Sequence, residues 1–402
     1  MNQVIKESPF MPGRPVPIEY FVARAEEVRK LERIVNQTAS GRNENVFISG
    51  ERGIGKSSLA GYIRYIAEKK CNFVGNHCYL GGINSLEEMI RIIFQRLLQE
   101  VDKSLFEKLR ESFDKYIKGI NVFGFGIDFT QDKSELRALV DNFIPVMRKI
   151  CDIIKDDKKG LIIILDDLNG ITSISDFSHF IKSFVDELAT SQEKLPILII
   201  LVGISERREE MIKHQPSITR IFDIVELTPM NESESNTFFT SMFNKSSITI
   251  DPVALSLMVE LSGGLPMLMH EVGDAIYWNN SDEHIDKKDA QSGILIAAKN
   301  VGMKYLDPHV YRTLRSETYR SILRKIAKLE IGTIFHRKEI LGKINKSERG
   351  KLDNFIKKMK DLGIIRGTDA FGEYVFANQL YHLYFWLEAY SADKEMKSSS
   401  KK

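Results

Sequence analysis

The chain has 402 residues, with 57 Lys and Arg against 55 Asp and Glu and a formal net charge of +2. A charge so near balance excludes a polyanion binder that works through its whole surface, so any nucleic-acid contact must come from local clustering. The hydrophobic fraction, 43%, is ordinary for a globular protein, and the length fits two to four domains of about 100–200 residues each.

The opening MNQVIKESPF has no basic region followed by an apolar run, so it does not read as a signal peptide. Residues 1–20 are Pro-rich and read as extended. A helix follows over Ala25–Val35, with Val28, Leu31, Ile34 and Val35 on one face. Val46–Ser49 reads as a short strand, which runs into a Gly-rich segment and then a helix from Ser58 to Lys69. Phe73–Leu80 is a second strand. Ser85 with Glu88 has the capping-box pattern for a helix reaching Val101.

Residues 104–135 break this rhythm, and Gly119–Thr130 reads as a two-stranded excursion. A helix over Lys133–Lys155 leads back to Leu161–Leu165, a strand apolar at every position, as expected when both faces of a parallel sheet are covered. Pro196–Val202 has the same character, and Ile224–Leu227 is a fifth strand. Five short strands alternating with helices predict a doubly wound α/β domain, whose ligand lies beyond the carboxyl ends of the strands.

After Pro229 no strand is expected for some distance. Glu232–Phe243, Pro252–Leu261, Leu265–Trp278 and Ile285–Leu306 read as helices. Next come helices over Tyr319–Leu329, Arg337–Lys343 and Glu348–Leu362, then strands near Ile364–Thr368 and Tyr374–Ala377. Ser391–Lys402 is polar and reads as disordered. The expected division is 1–40 for an N-terminal segment and helix, 41–230 for the α/β core, 231–306 for a helical lid, 307–390 for a third module, and a tail. The longest apolar runs fall far short of the ~20 residues a membrane helix needs. A cytoplasmic protein with no membrane partner is expected. Cys71, Cys78 and Cys151 then read as ordinary thiols, since Cys71, His77 and Cys78 lack the second paired knuckle of a metal site.

Chemistry concentrates at Gly50, Glu51, Arg52, Gly53, Ile54, Gly55, Lys56 and Ser57, which match G-x-x-x-x-G-K-[ST] without exception. The glycines let the backbone approach phosphates closely. The loop amides, with Ser58 in the first helical turn, face an anion. Lys56 is expected to reach the β- and γ-phosphates of ATP, and Ser57 to ligate Mg²⁺. Leu161–Asp167 supplies the second half: two carboxylates at the end of a buried strand require compensation. Asp166 is expected to hold Mg²⁺, through water. Asp167 either polarises the attacking water or caps the turn at Asn169-Gly170. Ser205, just after the fourth strand, either senses the γ-phosphate or caps the next helix.

This set resembles the AAA+/STAND group of P-loop ATPases, and among them the origin-recognition-like ATPases of archaea and bacteria, over about Phe21–Tyr390. The resemblance rests on Gly50, Gly55, Lys56, Ser57, Asp166 and Asp167. Phe21-Val-Ala-Arg24-Ala-Glu-Glu27 is similar to that group's F-x-G-R-x-x-E motif beside the adenine, with Ala23 replacing Gly. Gly264-Leu265-Pro266 resembles the G-x-P element of STAND lids, which implies that Pro266 packs on the base. Ser205 matches the sensor-1 position. Arg220 stands where family members place an arginine finger for a neighbouring subunit, and is otherwise a surface residue paired with Asp223. The second acid is Asp where many members have Glu, which implies slow hydrolysis. No G-x-A-R arginine is present; Met267, Met269 and His270 stand near its place.

Residues 317–390 resemble a winged helix, with Lys346, Arg349, Lys351, Lys357, Lys358 and Lys360 around its third helix and Gly367–Gly372 as the wing. The expected function is an Mg²⁺–ATP-dependent conformational switch. The alternatives are an initiator or transposition-type ATPase assembling on duplex DNA, a signalling or antiviral STAND sensor with a protein partner, and a non-hydrolysing scaffold. A homo-oligomer is compatible with each.

Overall fold

A computed structural model of the protein describes residues 7–113, 120–123, 126–129, 137–138, 140–193 and 195–399. The chain divides into two compact units: residues 15–228, and the segment ending at Arg14 together with residues from 229 onward.

The first unit contains strands β1 (Asn45–Gly50), β2 (Phe73–Tyr79), β3 (Ile120–Phe123), β4 (Gly126–Phe129), β5 (Gly160–Asp166), β6 (Ile197–Val202) and β7 (Asp223–Leu227). Five of these form one parallel sheet in the order β2-β5-β6-β1-β7. β1, β5 and β6 are buried at every residue, which is why Leu161–Leu165 and Ile197–Val202 read as unbroken apolar runs. Helices Leu86–Glu100, Phe143–Ile154 and Ser175–Thr190 bury Phe94, Phe143, Phe177 and Phe184 in one cluster with Leu161, Ile163 and Ile199 of the sheet. β3 and β4 pair antiparallel, as the excursion predicts; residues 114–119, 124–125 and 130–136, including the start expected for the following helix, lie outside the described residues.

Two local details depart from the sequence reading. Ser85 accepts the Glu88 amide N–H at 3.2 Å, but the Glu88 carboxylate lies 3.8 Å from Arg91, so only half of the capping box forms. Ala23 and Arg24 both have positive φ, 68° and 64°, ahead of helix Ala25–Ala39. A left-handed conformation costs an L-residue with a Cβ roughly 1–2 kcal/mol. Ala23→Gly should therefore raise stability by about 0.5–1 kcal/mol after the loss in unfolded-chain entropy is subtracted. A urea midpoint that falls would show that the Ala23 methyl contributes packing instead.

In the second unit the expected helices are present, with corrections. Strands do not stop at Pro229: β8 (Thr249–Ile250) and β9 (His284–Ile285) form a short parallel pair. The helix expected over Ile285–Leu306 starts only at Lys287, capped by Asp286, and runs to Val301. A π-helical turn over Gly302–Leu306 follows, and then helix Asp307–Thr313. Lys304 and Tyr305 in that turn both bond the buried Glu271 carboxylate, at 2.9 and 2.9 Å. The helix expected over Glu348–Leu362 is two pieces, Lys346–Arg349 and Leu352–Asp361. Glu348 is turned inward by Ser321 and Lys325, at 2.7 and 2.6 Å, and the chain breaks at Gly350. β10 (Phe335–His336), unforeseen, joins β11 (Ile365–Gly367) and β12 (Glu373–Phe376) in an antiparallel sheet ordered β10-β12-β11. Helix Gln379–Ser399 runs through most of the tail that read as disordered. No described helix is long and apolar enough to cross a membrane.

The segment before Arg14 packs within this second unit. The Phe10 ring lies 4.7 Å from Phe243 and 6.1 Å from His270, and the Met11 amide donates to His270 Nδ1 at 3.2 Å. Burial lowers His270 to about 4, and likewise lowers His382, which stacks on Phe376 at 4.1 Å, to about 4. Both imidazoles are therefore neutral in the fold and titrate near 6.5 once unfolded. The unfolded chain takes up these protons first, so stability is full above pH 6.5 and is lost as pH falls toward 4. Each histidine should cost on the order of 2 kcal/mol by pH 5. Thermal melts at pH 7.5 and 5.0 should show a clear fall in Tm; equal values would remove both histidines as acid-sensitive points.

Candidate nucleotide-binding site

β1 ends at Gly50 with φ 145°, where a Cβ would stand 2.7 Å from the Leu227 carbonyl oxygen on β7. Gly53 (φ 78°) and Gly55 (φ 95°) complete a loop that only glycine accommodates, and helix Lys56–Cys71 begins directly beyond it. The first amides of that helix have no intrahelical acceptor and point out of its N-terminus, where the helix dipole favours an anion. The Lys56 ammonium folds back over the loop and donates to the Gly50 carbonyl at 2.9 Å and the Glu51 carbonyl at 2.8 Å. Among the described residues it has no carboxylate partner within ion-pair distance, and burial lowers its pKa. Arg24, itself buried, donates to the Ile54 carbonyl at 3.4 Å and to Glu27 at 3.3 Å, so the motif read as lying beside the adenine also braces the loop. The Ser58 hydroxyl accepts the Val16 amide at 3.2 Å.

Across the sheet, Asp166 closes β5 and is only 2% exposed. One carboxylate oxygen accepts the Asp167 amide at 2.8 Å, and the other lies 3.0 Å from His77 Nε2. Val202 on β6 is in register with both Asp166 and Ile48, so β6 alone separates the two halves of the site. Two strand spacings, roughly 10 Å, therefore lie between the carboxylate strand and the strand that feeds the loop.

Asp167 is exposed and has φ 56°. One of its carboxylate oxygens accepts from the Asn169 side-chain amide, and the other lies close over Gly81. Ser205 does not cap the helix that follows it: Ser205–His214 starts at that residue, its N-cap is Ile204, and no side-chain cap bond forms. The Gly203 amide donates to the Ile48 carbonyl at 3.1 Å, so the chain bearing Ser205 leaves β6 alongside β1 and the loop.

Arg220 is exposed on the short helix Ile218–Ile221 and, among the described residues, forms no ion pair with Asp223. Asp223 is in register with Val46 and Leu227 with Gly50, so Arg220 lies at the end of the sheet opposite to Lys56. That separation, over roughly 13 Å of strand, rules out contact with the phosphate loop of its own chain. Pro266 belongs to the second unit, buried at the first position of helix Pro266–Asn279; before it, Gly264 packs where a Cβ would stand 2.1 Å from the Met230 carbonyl oxygen.

Reading the sequence weighed His77 only beside Cys71 and Cys78 as a metal knuckle and did not link it to Asp166. The available signal was Asn76-His77 inside a strand that is otherwise core, since buried polar groups require partners. Cys78, beside it, is an inert thiol that burial raises to about 12, and all three cysteines are buried and unpaired.

These residues fit a triphosphate with its metal. A partly buried cation rests on carbonyls of its own loop, three glycines keep that loop open, and a buried carboxylate faces it over one strand. No group of three or more His, Cys, Asp or Glu among the described residues could hold a metal unaided. Mg²⁺ usually takes one or two protein ligands and completes its shell with phosphates and water. Ser57 and Asp166, the pair expected from the sequence, have the oxygen donors such an ion would take.

Residues 20–200 match the family model described as the AAA ATPase domain. A curated relative, the uncharacterized HTH-type transcriptional regulator MJ0774 of Methanocaldococcus jannaschii, is 23% identical over 227 residues, 54% of this chain and 52% of its own length. The chain thus spans about half the length of that relative. Among solved structures, the Aeropyrum pernix ORC2 protein in ADPNP–ADP complexes superposes with a TM-score of 0.59 at 13% identity, over 97% of each chain. The Walker-type ATPase PABY2304 of Pyrococcus abyssi does so with a TM-score of 0.53 at 20% identity, over 91% of this chain and 96% of its own. The P-loop NTPase fold read from the sequence is the fold these structures share.

Proposed function

We propose, from the match of residues 20–200 to the AAA ATPase domain model, that the protein binds Mg²⁺–ATP at Gly50–Ser58 and works as a nucleotide-dependent conformational switch with slow hydrolysis. The observation that carries this reading is the Lys56 ammonium held 2.9 and 2.8 Å from two carbonyls of its own loop, one strand away from a buried Asp166. Bound Mg²⁺ supplies charge neutralisation at the β- and γ-phosphates. The protein does the rest. Lys56 exchanges its carbonyl partners for phosphate oxygens, and the loop amides cradle the anion. Ser57 and Asp166 face the metal. Asp167, turned from Asn169, accepts a proton from the attacking water. Ser205 lies beside the loop and reports the γ-phosphate, and Arg220 serves only a neighbouring chain. Isothermal titration with ATP and Mg²⁺, followed by a phosphate-release assay, tests the reading; absence of nucleotide binding overturns it.

A second reading, assembly on duplex DNA, is favoured by the C-terminal module. Helices Glu317–Ala327, Arg337–Lys343 and Leu352–Asp361 with the β10-β12-β11 sheet have the make-up of a winged helix. Lys357, Lys360 and Arg366 are exposed, and Phe371 at the tip of the β11–β12 hairpin is fully exposed. Such a surface would contact phosphates in a salt-dependent way. The relative bearing an HTH-type regulator name is in keeping with it. Size-exclusion with light scattering, with and without ATP and duplex DNA, separates the two. An ATP-dependent DNA complex favours assembly on DNA, a mass change with ATP alone favours the oligomeric switch, and binding of neither DNA nor a second copy leaves a protein partner.

A further inference from the structure

Among the described residues the Asp166 carboxylate is held by two bonds, and only one of them comes from its own neighbour. The Asp167 amide would be there in any chain of this fold, but the bond to His77 Nε2 comes from a different strand, 89 residues earlier. β2 and β5 pair with Tyr79 opposite Asp166 and His77 two residues before it, so both rings lie on the face that carries the carboxylate. The rings stack at 4.6 Å and 21°, which fixes the imidazole plane. His77 is 7% exposed and Asp166 2%, so neither has water as an easy substitute.

We propose that His77 is a positioning residue for the metal-side carboxylate: it pins Asp166 so that the acid faces the metal position and not Lys56. The inference rests on the Mg²⁺–ATP reading above. Each carboxylate oxygen can accept two bonds, so one from His77 and one from the Asp167 amide fix the rotation of the group and leave a lone pair on each oxygen for a metal-bound water. Asp166 is the charged group that acts most strongly on Lys56. A carboxylate released from His77 is free to rotate away from the metal position, while Lys56 keeps its place on the loop. Outer partners of metal-binding carboxylates commonly contribute 10–100-fold in metal affinity.

The test is a binding measurement that does not depend on turnover. AMP-PNP affinity is measured by calorimetry in EDTA and in saturating Mg²⁺ for the wild-type protein, His77→Phe and His77→Gln, with a thermal melt of each. His77→Phe keeps a ring against Tyr79 and removes the donor; its Mg²⁺-dependent gain in affinity should fall by about tenfold, with the EDTA value near wild type. His77→Gln, whose amide can reach Asp166, should restore most of the gain. Should His77→Phe fail to fold, His77→Asn, too short for that contact, replaces it. A wild-type protein without any Mg²⁺-dependent gain overturns the nucleotide reading and this inference with it. A wild-type gain that His77→Phe keeps in full, even with a lowered Tm, overturns the positioning role alone.

Discussion

Lys56→Ala should weaken Mg²⁺–ATP binding by at least about 100-fold, because two charge-assisted hydrogen bonds to phosphate oxygens, each worth roughly 1.5–3 kcal/mol, are lost together. The variant should remain folded. Among the described residues the Lys56 ammonium bonds to the Gly50 and Glu51 carbonyls, and both can turn to water once it is gone. The glycines that shape the loop are untouched. Calorimetric titration with ATP and Mg²⁺, alongside a thermal melt, reads both quantities. An unchanged dissociation constant in a folded variant would remove Gly50–Ser58 as the phosphate site, and with it the reading of the whole chain as an ATP-driven protein.

Asp167→Asn separates binding from chemistry. The amide has nearly the shape of the carboxylate, and Asn tolerates the left-handed φ of 56° at this position at least as well as Asp. A side-chain oxygen remains to accept the Asn169 amide, so the turn survives. What disappears is a base for the attacking water, a loss of about 10²–10⁴-fold in rate for a group in that role. Nucleotide affinity should change by no more than about threefold while steady-state phosphate release falls by two orders of magnitude or more. Full turnover would return Asp167 to a turn-holding role with Asn169 and leave the water to another group.

The two variants also show why some of the site was legible and some was not. The phosphate loop lies in eight consecutive residues, its glycines answer to local backbone geometry, and its lysine bonds within the same loop, so pattern and chemistry coincide in one short stretch. The buried sheet was equally open to reading: β5 and β6 are apolar at nearly every position because both of their faces are covered. Ser205 shows the limit. Its position after β6 was readable, but the helix begins one residue earlier than a Ser205 cap requires, with Ile204 as the N-cap. The same limit applies to β10, two residues long and recognisable only through its pairing with β12, and to the break at Gly350, where Ser321 and Lys325 draw Glu348 inward from another helix.

By itself the sequence determined the class of the fold, the five strands of the sheet, the loop that would hold a phosphate and the acid strand that answers it, because each is written in short-range periodicity or in adjacent residues. Tertiary structure alone decided the order β2-β5-β6-β1-β7, which sets the loop and Asp166 one strand apart and puts Arg220 at the far end of the sheet. It also decided that Phe10 packs with Phe243 and His270, and that His77 meets Asp166. These are pairings between residues 89 to 260 positions apart to within a few places. No local pattern encodes them, since their free energy is realised only when the whole chain closes around a shared interior.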